Sequence, residues 1–410
     1  MSAVALVAGL ASAALFLVVG AVVLFLYNSR LSQREGGQKM APLWRWWSCW
    51  SSTGEKGGRD VEKGQTTARV ADGPDPPVEP AVEEKKKVEK GNGPAAGGSD
   101  VRKFGWKEVE DMTESFSSAV IGEGGFSTVY LARFGDGEAA ALGAVKVHRS
   151  SSGSERLLRA FRQELEVLLN LRHPHIVRLL GYCEDREEGV LVLEYVPNGT
   201  LHEMLHGGGD ASPTLPWARR MSIALQLARA VEYLHDGCAL PIVHCDLKAS
   251  NVLLDGRFDC KLCDFGSARA GFESAVTQHR LHPMMMGSPG YVDPHYLRTG
   301  MVSKKGDVYS FGVLLLELLT GAEPFCSEKG QMLTASVGKA LAFAEGSGVC
   351  GVLDPRLGGQ YDAAETTAVA AVASRCIGER PSLRPSMAEV VRAMEAALCS
   401  STAAVGAKPS

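Results

Sequence analysis

The chain has no surplus of positive charge. Its 410 residues contain 43 lysines and arginines against 47 aspartates and glutamates, which gives a formal net charge of -4 at pH 7. A protein that binds nucleic acid usually carries a marked basic excess. The balance therefore gives no reason to expect a nucleic-acid partner, and the composition is otherwise that of an ordinary globular protein.

The chain also lacks the cysteine spacing of a disulfide framework or a zinc site. Ten cysteines are scattered along its whole length, which predicts reduced thiols in a cytosolic domain. Cys260 and Cys263 form a C-x-x-C, but no second pair follows at zinc spacing. Residues three apart on a strand point to opposite faces, so we expect no metal or redox role for this pair.

Residues 3–27 lack charge altogether and are rich in leucine, valine, phenylalanine and alanine. About 20 apolar residues suffice to cross a bilayer. A cleaved signal peptide is the alternative, but the run exceeds the usual apolar core and no basic residue precedes it. The basic residues that follow it are Arg30, Arg34, Lys39 and Arg45. This bias predicts a single transmembrane anchor at 1–29, in the plasma membrane, with the rest of the chain in the cytosol.

No periodic apolar pattern persists through residues 30–100, where glycine, proline and mixed charge dominate. Such a segment cannot bury enough apolar surface to offset its ordering entropy, so we expect a disordered juxtamembrane tether. The tryptophan-rich stretch 43–50 is an exception, and it fits either a membrane interface with an acylated Cys49 or a partner's docking site. Residues 400–410 are expected to form a disordered tail.

The glycine-rich segment 121–130 lacks the continuation of two familiar phosphate-binding motifs. A dinucleotide fold requires a helix directly after the glycines, and a Walker loop requires Gly-Lys followed by Ser or Thr. Instead, β-branched and aromatic residues continue through Leu131, which predicts a hairpin. Gly122 and Gly124 would let the backbone approach phosphates closely, and Ser127 stands where a third glycine would continue the pattern.

The most informative residues lie between 244 and 266. Asp246, Lys248, Asn251 and Asp264 set an acid, a lysine, an amide and a second acid at the spacings that phosphoryl transfer requires. In that reaction a carboxylate takes the proton of an acceptor hydroxyl. Two oxygen ligands hold magnesium against the phosphates of ATP.

These motifs resemble those of eukaryotic protein kinases, and more closely those of plant receptor-like serine/threonine kinases. Further landmarks of that family are Phe104-Gly105-Trp106-Lys107-Glu108, Tyr233-Leu234-His235 and Arg384-Pro385-Ser386-Met387. The resemblance covers roughly residues 101–399. It implies an α+β, two-lobed kinase fold with a small β-rich N-lobe and a large helical C-lobe, behind the single N-terminal transmembrane helix.

The resemblance also implies roles for individual residues. Asp246 matches the catalytic base and Lys248 the loop lysine of serine/threonine kinases. Asn251 and Asp264 match the ligands of Mg²⁺ (or Mn²⁺), with ATP as the phosphate donor. Ser288, in a segment that resembles the substrate-docking turn, would bridge Asp246 and Lys248.

Lys146 matches the kinase lysine that holds the α- and β-phosphates, and that role requires a carboxylate partner. It lies in the predicted strand 144–148, on the face opposite Val145 and Val147. In the helical pattern that follows, Glu164 falls within the apolar stripe, whereas Glu166 lies on the polar face. An inward-facing carboxylate needs a partner, so we expect Glu164 to pair with Lys146.

The run 190–196 resembles the hinge between kinase lobes, where backbone groups of Glu194 and Val196 would bind adenine. The nucleotide-binding residues implied by the resemblance are Ile121, Gly122, Glu123, Gly124, Gly125, Val129, Ala144, Lys146, Glu164, Glu194, Val196 and Leu253.

Two positions depart from the family pattern. Cys245 replaces the arginine that pairs with a phosphorylated activation loop, and a thiol cannot make that contact. We therefore hypothesise that basal activity needs no activation-loop phosphate, the alternative being that Arg269 or Arg280 takes over. His295 replaces the glutamate of Ala-Pro-Glu, so the carboxylate–arginine pair expected with Arg384 cannot form through that residue.

Together these features predict a membrane-anchored serine/threonine kinase that transfers the γ-phosphate of ATP to protein hydroxyls in signalling. Its partners would be protein substrates, the membrane and a ligand-binding co-receptor, without nucleic acid. The alternative is a catalytically weak or inert pseudokinase that acts as a scaffold in a receptor complex. The residues that favour activity are all present: Lys146, Glu164, Asp246, Asn251 and Asp264.

Overall fold

The structure, a computed structural model, describes most of the chain beyond residue 100. The described ranges are 101–125, 127–135, 141–148, 155–207, 214–271, 277–278, 286–342 and 349–398. They all belong to one compact unit. The predicted segments 1–29, 30–100 and 400–410 lie outside the described residues.

A six-stranded sheet dominates the first part of this unit. Its strands are β1 (Arg102–Lys103), β2 (Val120–Glu123), β3 (Ser127–Phe134), β4 (Ala141–His148), β5 (Leu179–Cys183) and β6 (Gly189–Glu194). Their order in space is β1-β5-β6-β4-β3-β2, with β1 parallel to β5 and the remaining pairs antiparallel. The β2–β3 pair is the hairpin predicted from the glycine-rich segment.

Each face of this sheet packs against one helix, because apolar side chains alternate between the faces along β4. Val145 and Val147 point to a cluster that includes Val109 of helix α1 (Trp106–Met112). Ala144 points to the opposite cluster, which includes Phe161 of helix α2 (Glu155–Leu169). Lys146 shares the face of Ala144, so the alternation directs its ammonium group towards α2.

The second part of the unit is mainly helical. Its helices are α3 (Leu201–His206), α4 (Trp217–Glu232), α5 (Pro294–Thr299), α6 (Lys304–Thr320), α7 (Leu333–Ala342), α8 (Ala363–Cys376) and α9 (Met387–Ala397). Short strand pairs accompany them: β7 (Ile242–Val243) with β10 (Arg269–Ala270), β8 (Val252–Leu254) with β9 (Cys260–Leu262), β11 (Thr277–Gln278) with β12 (Met301–Val302), and β13 (Phe325–Cys326) with β14 (Gln331–Met332). The predicted two-lobed α+β architecture, a β-rich lobe followed by a helical lobe, is confirmed.

Helix α6 is mainly apolar, is buried on nearly all sides and forms the centre of the helical lobe. Nearly all its residues from Asp307 to Thr320 are buried, and it packs against α4, α7 and α8. Within the described ranges, no helix is both long enough and apolar enough to cross a bilayer. The transmembrane part of the fold prediction rests on residues 1–29 and has no support from this structure.

A buried ion pair fastens the segment before α5 to the C-terminal part of the lobe. Both guanidinium nitrogens of Arg384 donate to the carboxylate of Asp293, at 2.7 and 2.8 Å. Both side chains are nearly inaccessible to solvent. The expectation from His295 therefore needs correction: the pair with Arg384 exists, but the carboxylate comes from two residues earlier in the chain. The same carboxylate accepts a hydrogen bond from the His295 backbone N–H and so caps α5.

We expect Asp293→Ala to lower the free energy of unfolding by about 3–5 kcal/mol, because it would leave the Arg384 charge buried without a partner. His295→Ala is the matched control two residues away and should cost less than about 1 kcal/mol. Urea unfolding followed by circular dichroism measures both. Equal effects of the two substitutions would contradict the assignment of the pair to Asp293.

Candidate active site

A lysine and two carboxylates meet where β4 faces α2. The ammonium nitrogen of Lys146 lies 2.8 Å from each carboxylate oxygen of Glu164 and 2.9 Å from Oδ1 of Asp264. Lys146 is 9% exposed and Glu164 only 1%. The contact joins the sheet, helix α2 and the segment that follows β9.

The charges in this group stabilise one another. Burial disfavours the charged ammonium of Lys146 and acts to lower its pKa. The attraction of the Asp264 and Glu164 carboxylates is larger than this effect of burial, so the pKa of Lys146 is raised. The Lys146 charge, opposed by burial, holds the pKa of Asp264 well below its usual range. Burial also acts to raise the pKa of Glu164, yet Lys146 and a hydrogen bond from His148 bring it below its usual value. All three groups are therefore charged near neutral pH.

His148 is a contact of this group that the sequence analysis missed. Its Nε2 lies 3.2 Å from Oε2 of Glu164, its Nδ1 lies 3.3 Å from the carbonyl oxygen of Gly189, and its ring packs against Phe161. Strand alternation could have predicted this position. Residues two apart on a strand share a face, so the His148 side chain lies on the same face of the sheet as Lys146. We infer that it helps to orient the Glu164 carboxylate.

Asp246 and Lys248 form a second polar group with Ser288. Oδ1 of Asp246 accepts a hydrogen bond of 2.9 Å from the Ser288 hydroxyl, and its Oδ2 lies 2.9 Å from the ammonium of Lys248. The same ammonium donates to Ser288 Oγ at 2.9 Å. The structure thus places Ser288 between the two residues, which is the bridge that the family resemblance implied.

Asp307, at the start of α6, fixes the backbone just before Asp246. Its two carboxylate oxygens accept hydrogen bonds from the backbone N–H groups of His244 and Cys245, at 2.8 and 2.9 Å. Cys245 has a left-handed φ of 67°, a strained conformation for a residue with a side chain. The His235 ring reaches the same carboxylate at 2.9 Å. The sequence alone assigned no role to Asp307, because its partners lie more than 60 residues away in the chain.

Asn251 and Asp264 offer oxygen ligands suited to a divalent cation. The amide nitrogen of Asn251 donates to the carbonyl oxygen and to Oδ2 of Asp246, at 2.9 and 3.3 Å. Since the nitrogen is committed to that contact, the amide oxygen is the atom left to bind a metal. An amide oxygen and a carboxylate are hard ligands of the kind that Mg²⁺ takes alongside ATP phosphates. The donor set therefore fits the group that the resemblance implies.

The predicted nucleotide-binding residues line the β2–β3 hairpin and the β4–β6 ladder. Gly122 pairs with Val129 and Glu123 with Thr128, while the Gly124 N–H donates to the Ser127 carbonyl oxygen at 2.8 Å. Ile121 is exposed on β2, and Gly125 follows that strand.

The residues expected around adenine lie where β6 ends. Ala144 of β4 faces Leu193 of β6 across the ladder, and Val196, nearly buried, follows that strand. Leu253 on β8 is half-buried and forms a bridge with Thr200. The Glu194 side chain is already engaged, since it accepts hydrogen bonds from the Lys261 ammonium and the Arg178 backbone N–H. Any adenine contact of Glu194 would therefore involve its backbone.

The thiols near the site have raised pKa values. Burial, reinforced by the Asp264 charge, raises the pKa of Cys263 to about 12. Burial and the charge of Asp307 raise the pKa of Cys245 well above its usual range. Both groups are therefore protonated at neutral pH and lack the thiolate on which metal binding and redox reactivity depend.

Comparison with known proteins gives the family of this fold and site. A profile of the protein kinase domain matches residues 117–394, well over half of the chain. The chain belongs to the protein kinase family. The resemblance inferred from its motifs is confirmed, and the protein is a protein serine/threonine kinase.

Several plant kinases are similar to this chain. The rice (Oryza sativa subsp. japonica) protein named Salt tolerance receptor-like cytoplasmic kinase 1 is 54% identical over 359 residues, covering 86% of this chain and 94% of its own. An Arabidopsis thaliana protein named Probable receptor-like protein kinase At4g10390 is 47% identical over 312 residues, covering 72% and 89%. Proline-rich receptor-like protein kinase PERK8 of the same plant is 35% identical over 300 residues, covering 71% and 42%.

The predicted localisation, a single-pass membrane protein, is wrong by these comparisons. The rice relative, aligned over 94% of its own length, is named a receptor-like cytoplasmic kinase. In the part of the chain that the structure describes, no helix could span a membrane. Length and lack of charge in residues 3–27 are necessary for a membrane span but not sufficient for one, so we withdraw the prediction.

We expect His148→Phe to lower kcat/KM for ATP roughly ten- to hundredfold, because hydrogen bonds to charged groups contribute about 1.5–3 kcal/mol. Phenylalanine keeps the packing on Phe161 but cannot donate to Glu164. His148→Gln supplies an amide donor and should recover part of the loss. Steady-state kinetics over a range of ATP concentrations measures both, and an equal loss in the two variants would indicate a purely structural role.

Proposed function

We propose that this kinase is catalytically active and that Asp246 accepts the proton of a serine or threonine hydroxyl in a protein substrate. Support comes from the Ser288 hydroxyl, which donates to Oδ1 of Asp246 at 2.9 Å. That contact supports the proposal, because it brings a hydroxyl within hydrogen-bond distance of this carboxylate. A catalytic base must lie within hydrogen-bond distance of the proton that it removes.

Lys146 and Lys248 are the cations of the proposed reaction. Lys146, held by Glu164, would bind phosphate oxygens of ATP, and Lys248, 2.9 Å from Asp246, would stabilise charge that develops near the acceptor oxygen. Fixed charges of this kind carry most of the catalysis of phosphoryl transfer, since little covalent chemistry falls to the protein.

We propose that Mg²⁺ (or Mn²⁺) serves as the metal, with the oxygens of Asn251 and Asp264 as its protein ligands. A bound magnesium ion would neutralise charge on the β- and γ-phosphates of ATP. Asn251 and Asp264 would hold the metal ion in the position where it does so. Asn251 is oriented by its two contacts with Asp246, and Asp264 by its contact with Lys146.

We further propose that the folded kinase unit extends over residues 101–399, as one domain flanked by separate segments at 30–100 and 400–410. The kinase profile match begins only at residue 117, but residues before it belong to the folded unit and support a boundary at 101. Phe104, Val109 and Met112 are buried against the sheet in one apolar cluster. A ligand-binding co-receptor belongs to the proposal as an upstream partner, supported by the receptor-like names of the relatives.

We expect Lys146→Met, Asp246→Asn and Asp264→Asn each to reduce phosphate transfer by on the order of 10²-fold or more, since each removes a charge that acts on the transition state. A radiolabelled ATP assay measures the transfer, and circular dichroism checks that the fold persists. Asp246→Asn protein with wild-type turnover would contradict the proposal and favour the pseudokinase alternative.

Helix α2 offers a matched control for this set. Glu164→Gln removes the buried partner of Lys146 and should cause a comparable loss, whereas Glu166→Gln, two residues away on an exposed position, should leave transfer unchanged.

We expect basal activity to be independent of activation-loop phosphate, because the neutral thiol of Cys245 cannot pair with it. Turnover of phosphatase-treated protein should equal that of untreated protein and of a Ser274→Ala, Thr277→Ala double variant. The alternative is that Arg269 binds the phosphate. Its guanidinium now donates to the carbonyl oxygens of Ser267 and Ala268, both at 2.9 Å.

Phosphate-independent activity and phosphate binding by Arg269 predict different responses to rephosphorylation. A collapse of activity after phosphatase treatment, restored by rephosphorylation and lost again in Arg269→Gln, would show that Arg269 has taken over the role of the missing arginine.

A further inference from the structure

Two histidines and a glutamate come together away from the active site. His202 and His206 lie one turn apart on α3, with ring centroids separated by 5.0 Å. Nε2 of His206 is 2.8 Å from Oε1 of Glu317 on α6. One ligand atom from each of the three residues lies within 4.8 Å of the other two. Two imidazoles and one carboxylate at such distances could supply three of the four ligands of a tetrahedral metal site.

The carboxylate of Glu317 is buried with little compensation for its charge. The side chain has 0% exposure, and its contacts within the described residues are the Tyr291 hydroxyl, 2.6 Å from Oε2, and the His206 ring. Neither partner carries a permanent positive charge. A buried carboxylate is costly unless a cation balances it, and a divalent ion or a protonated His206 would do so.

The sequence His202-Glu203-Met204-Leu205-His206 matches the H-E-x-x-H pattern of zinc-dependent proteases, but the structure excludes that chemistry. The Glu203 carboxylate accepts hydrogen bonds from the backbone N–H and the hydroxyl of Thr200, at 2.8 and 3.0 Å. It therefore caps the start of α3 and is unavailable as a general base. What remains of the pattern is a pair of metal ligands.

We propose that His202, His206 and Glu317 bind a divalent cation of the zinc class. The nitrogen-rich donor set suits Zn²⁺ and related transition metals, whereas Mg²⁺ prefers oxygen ligands alone. The protein supplies three ligands, so a fourth position stays open to solvent or to a further carboxylate.

An outer contact orients the carboxylate, as is usual at zinc sites. The Tyr291 hydroxyl donates to Oε2 of Glu317, so Oε1 is directed towards the histidines. The same hydroxyl accepts a hydrogen bond of 3.2 Å from the backbone N–H of Ala249. A cation bound here would thus connect α3 and α6 to the loop that carries Lys248 and Asn251.

The test is zinc binding by the full chain, prepared free of metal and nucleotide and without a histidine tag. Isothermal titration calorimetry of wild-type protein with Zn²⁺ should reveal a site that Mg²⁺ does not fill. His202→Ala should weaken binding at this site at least about tenfold, which is the typical effect of removing even an outer-shell residue. His295→Ala, a histidine outside the cluster, is the matched control and should bind zinc as the wild type does.

Cobalt substitution identifies the ligands, because the chain also contains ten cysteines. The Co²⁺ protein should show the visible absorption of tetrahedral cobalt without a thiolate charge-transfer band. Zn²⁺ should also raise the melting temperature of wild-type protein and of His295→Ala, but not of His202→Ala. Equal zinc affinity of wild type and His202→Ala, or a thiolate band in the cobalt spectrum, would overturn the proposal. These readouts measure metal binding alone and are independent of phosphate transfer.

Discussion

The contact between Lys146 and Glu164 connects the parts of this kinase that have to act together. It joins β4, one of the two central strands of the sheet, to the helix that covers one of its faces, and Asp264 extends it to the helical lobe. Neither charged group could remain buried alone, because an unpaired ion in the interior costs several kcal/mol. The position of α2 against the sheet and the charge state of the site are therefore linked. A displacement of the helix would separate the pair and leave the buried Glu164 carboxylate without its cation, while Lys146 would keep its contact with Asp264.

A second constraint acts through Asp307 on the loop that carries Asp246. A single buried carboxylate holds two successive backbone N–H groups and the His235 ring, and the loop passes through a left-handed conformation at Cys245. Strain of this kind persists only where the surroundings over-determine the backbone. The anchored loop explains how Asp246 keeps its position although its neighbour is a neutral thiol rather than the arginine common in the family.

Buried ion pairs also secure the helical lobe, and they show which substitutions the fold tolerates. Arg220 of α4 donates to the Asp354 carboxylate at 2.6 Å, and Arg384 is held by Asp293. The glutamate expected at position 295 is absent, yet the arginine is paired, because a carboxylate two residues away reaches the same guanidinium. What the lobe requires is a negative charge within reach of Arg384, and the chain position that supplies it can vary.

The sequence by itself determined the reaction class and most of the candidate site, since phosphoryl transfer demands particular residue types at fixed spacings around Asp246. Strand alternation and the helical stripe also sufficed to select Glu164 over Glu166. Only the tertiary structure decided the contacts between residues distant in the chain. The pairing of Asp293 with Arg384, the two N–H groups held by Asp307 and the approach of Glu317 to His206 depend on how helices pack, and no local pattern encodes those distances. His148 combines both kinds of information. Strand alternation predicts that its side chain shares the face of Lys146. Only the packing of α2 against the sheet identifies Glu164 as its partner.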